Sequence, residues 1–258
     1  MTESQLSANV PKSNSAPAFS GNTARTDNWW LEPALVAIAF TAFGIYATFR
    51  AFENNYFEIG QYLSPFYSPN LKEYLPFWPF SPALIILPIP LFFRATCYYY
   101  RKAYYRAYFA HPSACTVGIF KNKGYTGEYN FPFVLQNLHR YAYYLAVPVV
   151  LILWYDAFKS IFFGGGFHMS VLSVVMFMNC ILLSGYTFGC HACRHLVGGG
   201  EDCFSCPKNQ LKYKRWQLVT KLNEKHQQWA WTSLLSVAAT DFYIRSTCIY
   251  PTLDFQIF

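Results

Sequence analysis

The chain has 258 residues, of which 53% are hydrophobic and 21% aromatic but only 13% charged. A soluble domain is typically about 25% charged, so this composition excludes an ordinary soluble fold, because too few polar side chains are available to cover the surface. We interpret the chain as an integral membrane protein. Its net charge of +7 is then better explained by membrane orientation than by nucleic-acid binding.

The first part of the chain differs from the rest. Residues 1–29 are polar and rich in Ser, Asn and Thr, a composition typical of disorder. They lack the apolar stretch and cleavage site of a signal peptide. We therefore predict a disordered cytoplasmic tail over residues 1–29 and a transmembrane anchor domain over residues 30–258.

Five later segments approach the ~20 apolar residues that cross a bilayer as a helix. The second carries Pro88 and Pro90, and the fifth is the least apolar because it contains Asp241 and Arg245, whose spacing of four allows them to pair. The predicted fold class is all-α, a bundle of five transmembrane helices with additional cytoplasmic interfacial helices. The predicted spans are Leu31–Phe52, Ala83–Tyr100, His139–Phe158, Met169–Gly189 and His226–Cys248.

Lysine and arginine predict the orientation. With a cytoplasmic N-terminus, the inner segments hold sixteen of the 20 lysines and arginines, and cytoplasmic loops carry such an excess. Two inner segments look helical: residues 94–109 continue span two as a basic aromatic helix, and residues 208–225 form a basic helix with Leu211, Leu218 and Leu222 on its apolar side. That second helix binds lipid headgroups or docks a peripheral subunit.

The densest chemical motif closes span four, where Cys190, His191, Cys193 and His195 fall within six residues. Thiolate and imidazole bind zinc, copper and iron–sulfur clusters. At ~100° per residue, the two cysteines lie ~60° apart, and the two histidines lie on a face turned ~150° from them. One straight helix therefore cannot direct all four at one centre. Either the helix breaks near Gly189, or one pair recruits other ligands.

His139 and His226 are candidates for those ligands, because they open spans three and five at the same predicted depth. Two cysteines and two histidines would form a Rieske-like set. Two alternatives stay open: a zinc site made by Cys190, Cys193, Cys203 and Cys206, and a haem between His139 and His226. The isolated cysteines are expected to be small apolar fillers, and a reducing compartment favours free or metal-bound thiols over disulfides on the cytoplasmic side. These isolated cysteines are Cys97, Cys115, Cys180 and Cys248.

Several motifs in one order resemble the membrane-anchor subunit of bacterial type F succinate dehydrogenase, respiratory complex II. They cover about residues 29–248. The motifs are Tyr62-Leu-Ser-Pro-Phe-Tyr-Ser-Pro69, Cys97-Tyr-Tyr-Tyr-Arg-Lys-Ala-Tyr-Tyr-Arg106, Asn137-Leu-His-Arg140, Cys190-His-Ala-Cys-Arg-His195, and Leu222-Asn-Glu-Lys-His226 with Ala230-Trp231.

The resemblance implies a haem-free anchor in the bacterial cytoplasmic membrane with a Rieske-type [2Fe–2S] cluster. It implies a flavoprotein partner with covalent FAD and an iron–sulfur partner with three clusters, which pass electrons from succinate to menaquinone or ubiquinone; a higher oligomer of the complex is compatible with it. Cys203 and Cys206 lie outside the family pattern. The implied ligand pool is Cys190, His191, Cys193, His195, His139 and His226.

A quinone needs hydrogen-bond donors in an apolar cleft. Tyr98, Arg101, Arg94 and Trp229 lie at the predicted cytoplasmic rim and are candidates, with membrane-interface anchoring as the alternative. The segment Tyr62–Pro69 offers a second site or a cap on the bundle. No flavin-binding or succinate-binding motif is present, so we do not expect this chain alone to oxidise succinate. The alternative functions are a haem b quinone-reactive anchor and a zinc-stabilised membrane scaffold.

Overall fold

The computed structural model describes residues 23–72, 74, 77–118, 129, 133–163, 166–199, 201 and 203–257. Residues 1–22 of the predicted tail therefore lie outside the described residues. Within the described ranges the chain is mostly helical, as the sequence predicts. The α-helices α1 to α9 are Leu31–Glu53, Ala83–Ile86, Pro88–Thr96, Tyr98–Ala107, His139–Lys159, Val171–Phe188, His191–Gly198, Gln210–Glu224 and His226–Ile249.

Two antiparallel hairpins and three short 3-10 helices accompany the α-helices in the described part of the chain. Strand β1 (Glu58–Ile59) pairs with β2 (Tyr62–Leu63), and β3 (Phe162–Phe163) pairs with β4 (Gly166–Phe167). The first hairpin turns at Gly60, whose φ of +57° favours glycine. The 3-10 helices are Phe133–Leu138, Pro207–Asn209 and Pro251–Leu253.

Three helical segments of the described chain are long and apolar enough to cross a membrane: α1, residues 134–159 and α6. The pair formed by Ala83–Thr96 and Tyr98–Ala107 adds a fourth if it counts as one span. Helix α9 covers the predicted fifth span, but its polar and charged residues leave it outside this group. Five spans and a cytoplasmic N-terminus therefore remain predictions.

Two predicted helices are interrupted, each at a cysteine. The expectation that residues 94–109 simply continue span two is wrong, because the chain bends by 79° between Thr96 and Tyr98. The Thr96 hydroxyl donates to the carbonyl of Phe92 in the last turn before the bend. Span four also breaks, since α6 ends at Phe188 and α7 begins at His191. This confirms the first option that the sequence left open, a helix that breaks near Gly189.

The chain divides into two compact units. In the smaller, which contains residues 23–38 and 103–118 among those described, the Tyr108 hydroxyl donates to the Ala37 carbonyl over 3.0 Å. In the larger, α6 packs against α9 and α5, and α3 packs against α5. A cluster of buried apolar side chains surrounds the beginnings of α5 and α9, and a second lies between α5, α6 and α9.

A third cluster in the larger unit contains Leu63, Phe66 and Tyr67 of the segment Tyr62–Pro69. Phe66 and Tyr67 are buried in it, and the Tyr67 ring stacks on Phe57 with centroids 4.1 Å apart. This segment closes over one end of α9, next to Asp241 and Arg245. Arg245 Nε lies 2.9 Å from Asp241 Oδ2, which confirms the predicted pair.

Candidate metal centre

Four helix ends bring two cysteine–histidine pairs near one another in the larger unit, within electrostatic range of each other. His139 Nε2 lies 2.9 Å from Cys190 Sγ, and His226 Nε2 lies 3.6 Å from Cys97 Sγ. Cys97, Cys190 and His226 are almost completely buried. We call these four residues the cysteine–histidine cluster.

The local structure explains why these side chains converge. Cys97 and Cys190 are both extended residues between two helices, with ψ of 133° and 151°. The backbone N–H groups of the helix that follows point toward each sulfur, from Tyr99 and Tyr100 at Cys97. The N-terminus of a helix favours a negative group such as a thiolate. The histidines are the first residues of α5 and α9.

His139 is oriented as a metal-binding histidine would be. Its Nδ1 lies 2.9 Å from the Thr96 hydroxyl oxygen, and that hydroxyl donates to the Phe92 carbonyl. Thr96 therefore accepts from Nδ1, which leaves the lone pair on Nε2, the nitrogen beside Cys190. Ligating histidines commonly have such an outer hydrogen bond. The Phe93 ring stacks on the imidazole at 4.9 Å and fixes its plane.

His226 has unused bonding capacity. Its ring is 1% exposed and stacks on Tyr186 at 5.1 Å. Its Nδ1 is buried without a hydrogen-bond partner. Buried polar atoms of this kind are rare in folded proteins and call for a specific explanation. A ligating role for the His226 ring would supply one.

The predicted ligand pool is only partly brought together. Cys190, His139 and His226 converge, whereas Cys193 is half-buried beside Tyr143. His191 and His195 are exposed, although His191 is near enough to act electrostatically on His139.

Cys97 is buried among apolar side chains as expected, but it is not isolated, because its sulfur lies 3.6 Å from His226 Nε2. Cys97 and His226 lie far apart in the sequence, which concealed this contact. The predicted orientation places the ends of spans two and four on the same side, which could have indicated it.

The zinc alternative built on four cysteines does not match the structure. Cys203 and Cys206 are joined by a disulfide bond, whereas Cys190 and Cys193 are free. The expectation of reduced thiols on this side is therefore wrong for the Cys203/Cys206 pair, whose C-x2-C spacing already allows a bond within one turn. Within the described part of the chain, no three His, Cys, Asp or Glu side chains are arranged around one metal ion.

A [2Fe–2S] centre of the Rieske type makes a different demand, since each iron takes two protein ligands, two thiolates on one and two imidazoles on the other. The cysteine–histidine cluster supplies that number and type of donors. The buried free Nδ1 of His226 and the oriented Nε2 of His139 fit such a group.

The four quinone candidates occupy different environments. Tyr98 is 60% exposed, and the Arg101 guanidinium lies over its ring at 5.8 Å. Arg94 turns inward and donates to the Tyr100 hydroxyl and to Ser233 Oγ at 3.0 Å. Trp229 packs beside the cysteine–histidine cluster, and its Nε1 is buried without a hydrogen-bond partner. Trp229 therefore presents an unused donor in an apolar setting.

The fold and this centre define a class, a helical membrane subunit with a buried cluster of thiol and imidazole groups. A family model described as actinobacterial succinate dehydrogenase subunit SdhC matches residues 31–249, and the chain belongs to this family. The chain is also similar to a chain of the Mycobacterium smegmatis Sdh1 complex in the apo form, with 41% identity, a TM-score of 0.83, and coverage of 93% of this chain and 94% of that one. No curated protein matches the sequence.

Membership in this family explains the apolar exterior. The chain is a membrane-anchor subunit of succinate dehydrogenase and is a multi-pass protein of the bacterial cytoplasmic membrane. Its partners are the flavoprotein and iron–sulfur subunits, and the complex works with membrane quinone. The large apolar side chains exposed along α1, such as Ile38 and Ile45, accordingly face lipid or a partner subunit.

Proposed function

We propose that this subunit passes electrons from the iron–sulfur partner to membrane quinone through a Rieske-type [2Fe–2S] cluster held by its own side chains. The observation that carries the proposal is that two pairs at four helix ends, Cys97 with His226 and Cys190 with His139, lie within electrostatic range of each other. The N-terminus is proposed to be cytoplasmic, which places this centre on the side where the soluble subunits bind. The isolated chain is not expected to oxidise succinate.

Each ligand has a distinct role in this proposal. Cys97 and Cys190 supply thiolates, which the N–H groups of the following helices stabilise. His139 and His226 supply neutral imidazoles held flat by Phe93 and Tyr186. When bound, such a cluster carries one electron at a potential higher than that of an all-cysteine cluster. Within the sequence-predicted pool, Cys193 is the alternative to Cys97, and His191 and His195 are the alternative histidines.

The quinone is proposed to bind next to this centre. Trp229 Nε1–H is the first candidate donor to a quinone carbonyl, because it is buried and unused. Tyr98 and Arg101 lie on α4 and are proposed to line the entrance from the membrane interface. Arg94 completes the candidate set from the interior side.

Single substitutions of the cysteines test this proposal. The Cys97→Ala and Cys190→Ala variants of the whole complex should lose the iron and acid-labile sulfide of one [2Fe–2S] cluster while retaining FAD. Cys180→Ala is the matched control, since Cys180 is also buried and free, and its thiol points to the Leu153 carbonyl.

Full iron and sulfide content in both Cys97→Ala and Cys190→Ala would contradict the ligand assignment. Loss in Cys190→Ala and Cys193→Ala with retention in Cys97→Ala would favour Cys193 as the second thiolate. A reduced haem absorption band that disappears in His139→Ala would favour the haem alternative. Stoichiometric zinc, with no iron beyond that of the partner subunits, would favour the alternative function of a zinc-stabilised membrane scaffold.

A further inference from the structure

Arg94 is a partly buried cation beside the cysteine–histidine cluster. Its Nη1 donates to the Tyr100 hydroxyl and to the Ala230 carbonyl at 3.3 Å, and its Nη2 donates to Ser233 Oγ at 3.0 Å. Its guanidinium lies 4.6 Å from the centre of the Tyr186 ring. These groups are all neutral, so they fix the position of Arg94 without compensating its charge.

Arg94 takes part in none of the ion pairs among the described residues. Lysine and arginine pair with described carboxylates at Arg25, Arg50, Lys212 and Arg245 only. A cation withdrawn from water is costly unless a negative group compensates it. Arg94 is close enough to act electrostatically on both Cys97 and His226. The compensating charge is therefore expected on the side of the cysteine–histidine cluster.

The proposed cluster would supply that charge when it is reduced. In the oxidised form, the charges of two ferric ions cancel those of two sulfides and two thiolates, and the imidazoles are neutral. With the cluster bound, one electron from the iron–sulfur partner would give the site a net negative charge. The positive charge of Arg94 favours the reduced form over the oxidised form.

We infer that Arg94 is a positioning residue that holds a fixed positive charge beside the cysteine–histidine cluster and so raises the affinity of that site for an electron. This inference rests on the proposed function. It gives Arg94 an electrostatic role that does not depend on contact with quinone.

An EPR-monitored redox titration of the purified complex tests the inference. Arg94→Gln should lower the electron affinity of the cluster about tenfold, which is about 59 mV for a one-electron couple. Arg94→Lys retains the charge and should stay within about threefold of the wild type. Arg140→Gln is the control, because Arg140 is an exposed cation next to His139 in the sequence, and exposed charges are screened.

A second variant covers the case in which Arg94→Gln does not assemble. Ser233→Asp places a carboxylate where Arg94 already donates a hydrogen bond, so it should neutralise the cation and lower the potential in the same direction. An unshifted potential in Arg94→Gln, or in Ser233→Asp if only that variant assembles, would overturn the inference. Equal shifts in Arg94→Gln and Arg94→Lys would also overturn it. A wild-type complex without the cluster would instead defeat the proposed function itself.

Discussion

At one end of α9, Asp241 and Arg245 are buried with their opposite charges paired, although Arg245 Nη2 has no hydrogen-bond partner, whereas at the other end His226 is buried with Nδ1 unused. Asp241 accepts hydrogen bonds from Tyr46, Ser64 and Arg245. His226 Nδ1 and the neighbouring Trp229 Nε1 have no hydrogen-bond partner. Fifteen residues of helix, about 22 Å, separate His226 from Asp241.

The difference teaches which polar groups hold the bundle together and which are available for chemistry. At the Asp241 end, Glu53 Oε2 accepts from both Arg50 and Arg245, so carboxylates and guanidinium groups compensate each other. At the His226 end, Arg94 is held by neutral groups and the histidines retain lone pairs. The first end is therefore expected to respond to substitution through stability, and the second through cofactor content and electron transfer.

The largest expected effect lies at the ion-paired end. Asp241→Ala leaves Arg245 buried without its main partner, and breaking such a pair typically costs about 3–5 kcal/mol. Thermal unfolding of the complex in detergent should shift strongly to lower temperature.

The double variant Asp241→Leu with Arg245→Met removes both charges and serves as the control, since it should be clearly more stable than Asp241→Ala. In preparations that still assemble, the iron content should equal that of the wild type. A loss of iron specific to Asp241→Ala would contradict the proposal that the Asp241 end of α9 affects stability and not cofactor content.

A smaller effect is expected for the unused donor near the cysteine–histidine cluster. Trp229→Phe removes the indole N–H while retaining an aromatic ring, and losing one hydrogen bond to quinone should raise the KM for quinone about tenfold. Succinate oxidation with a soluble dye that accepts electrons from the partner subunits should be unchanged.

Trp231→Phe is the matched control, because the Trp231 ring stacks on Phe40 at 4.8 Å as part of the apolar packing. Its KM for quinone should stay close to the wild-type value. Equal KM values in all three proteins would remove Trp229 from the quinone site.

The smallest effect concerns a surface contact outside the membrane segments. The hydrogen bond from Lys212 lowers the pKa of Glu201, and the amide of Asn209 adds to it. Because that pKa is lowered in the fold, the stabilisation is complete above the ordinary pKa of a glutamate and is lost as the pH falls through the lowered value. Limited proteolysis near residues 201–212 should accelerate slightly at acidic pH in the wild type.

Glu201→Gln should remove that acceleration by making the contact independent of pH. The exposed Glu224 provides the comparison, and Glu224→Gln should retain the wild-type pH dependence. The same acceleration in both variants would exclude Glu201 as its source.

Much of the fold follows from periodicity and composition, because a membrane span is set by a run of apolar residues. The beginnings of α5 and α9 coincide with the predicted starts of spans three and five, His139 and His226. The bend at Cys97 was harder to predict. No proline or glycine marks it, and the segment is as aromatic after the bend as a continuing helix would be.

The candidate site could be predicted only where its residues are close in the sequence or begin a span. Cys190, His139 and His226 met those conditions. Cys97 did not, because its relation to His226 depends on how α3 and α4 meet. The exposure of His191 and His195 likewise follows from the break after Gly189. There, a Cβ would lie 2.5 Å from the Gly185 carbonyl oxygen, so the chain passes too closely for a larger residue.

The most direct test of the central claim is pulsed EPR of the succinate-reduced complex, prepared once with natural nitrogen and once with 15N-labelled histidine. The account predicts a [2Fe–2S] signal coupled to two histidine nitrogens, lost in both His139→Ala and His226→Ala. The absence of any histidine-coupled [2Fe–2S] signal, or a coupled signal that survives both substitutions, would contradict it.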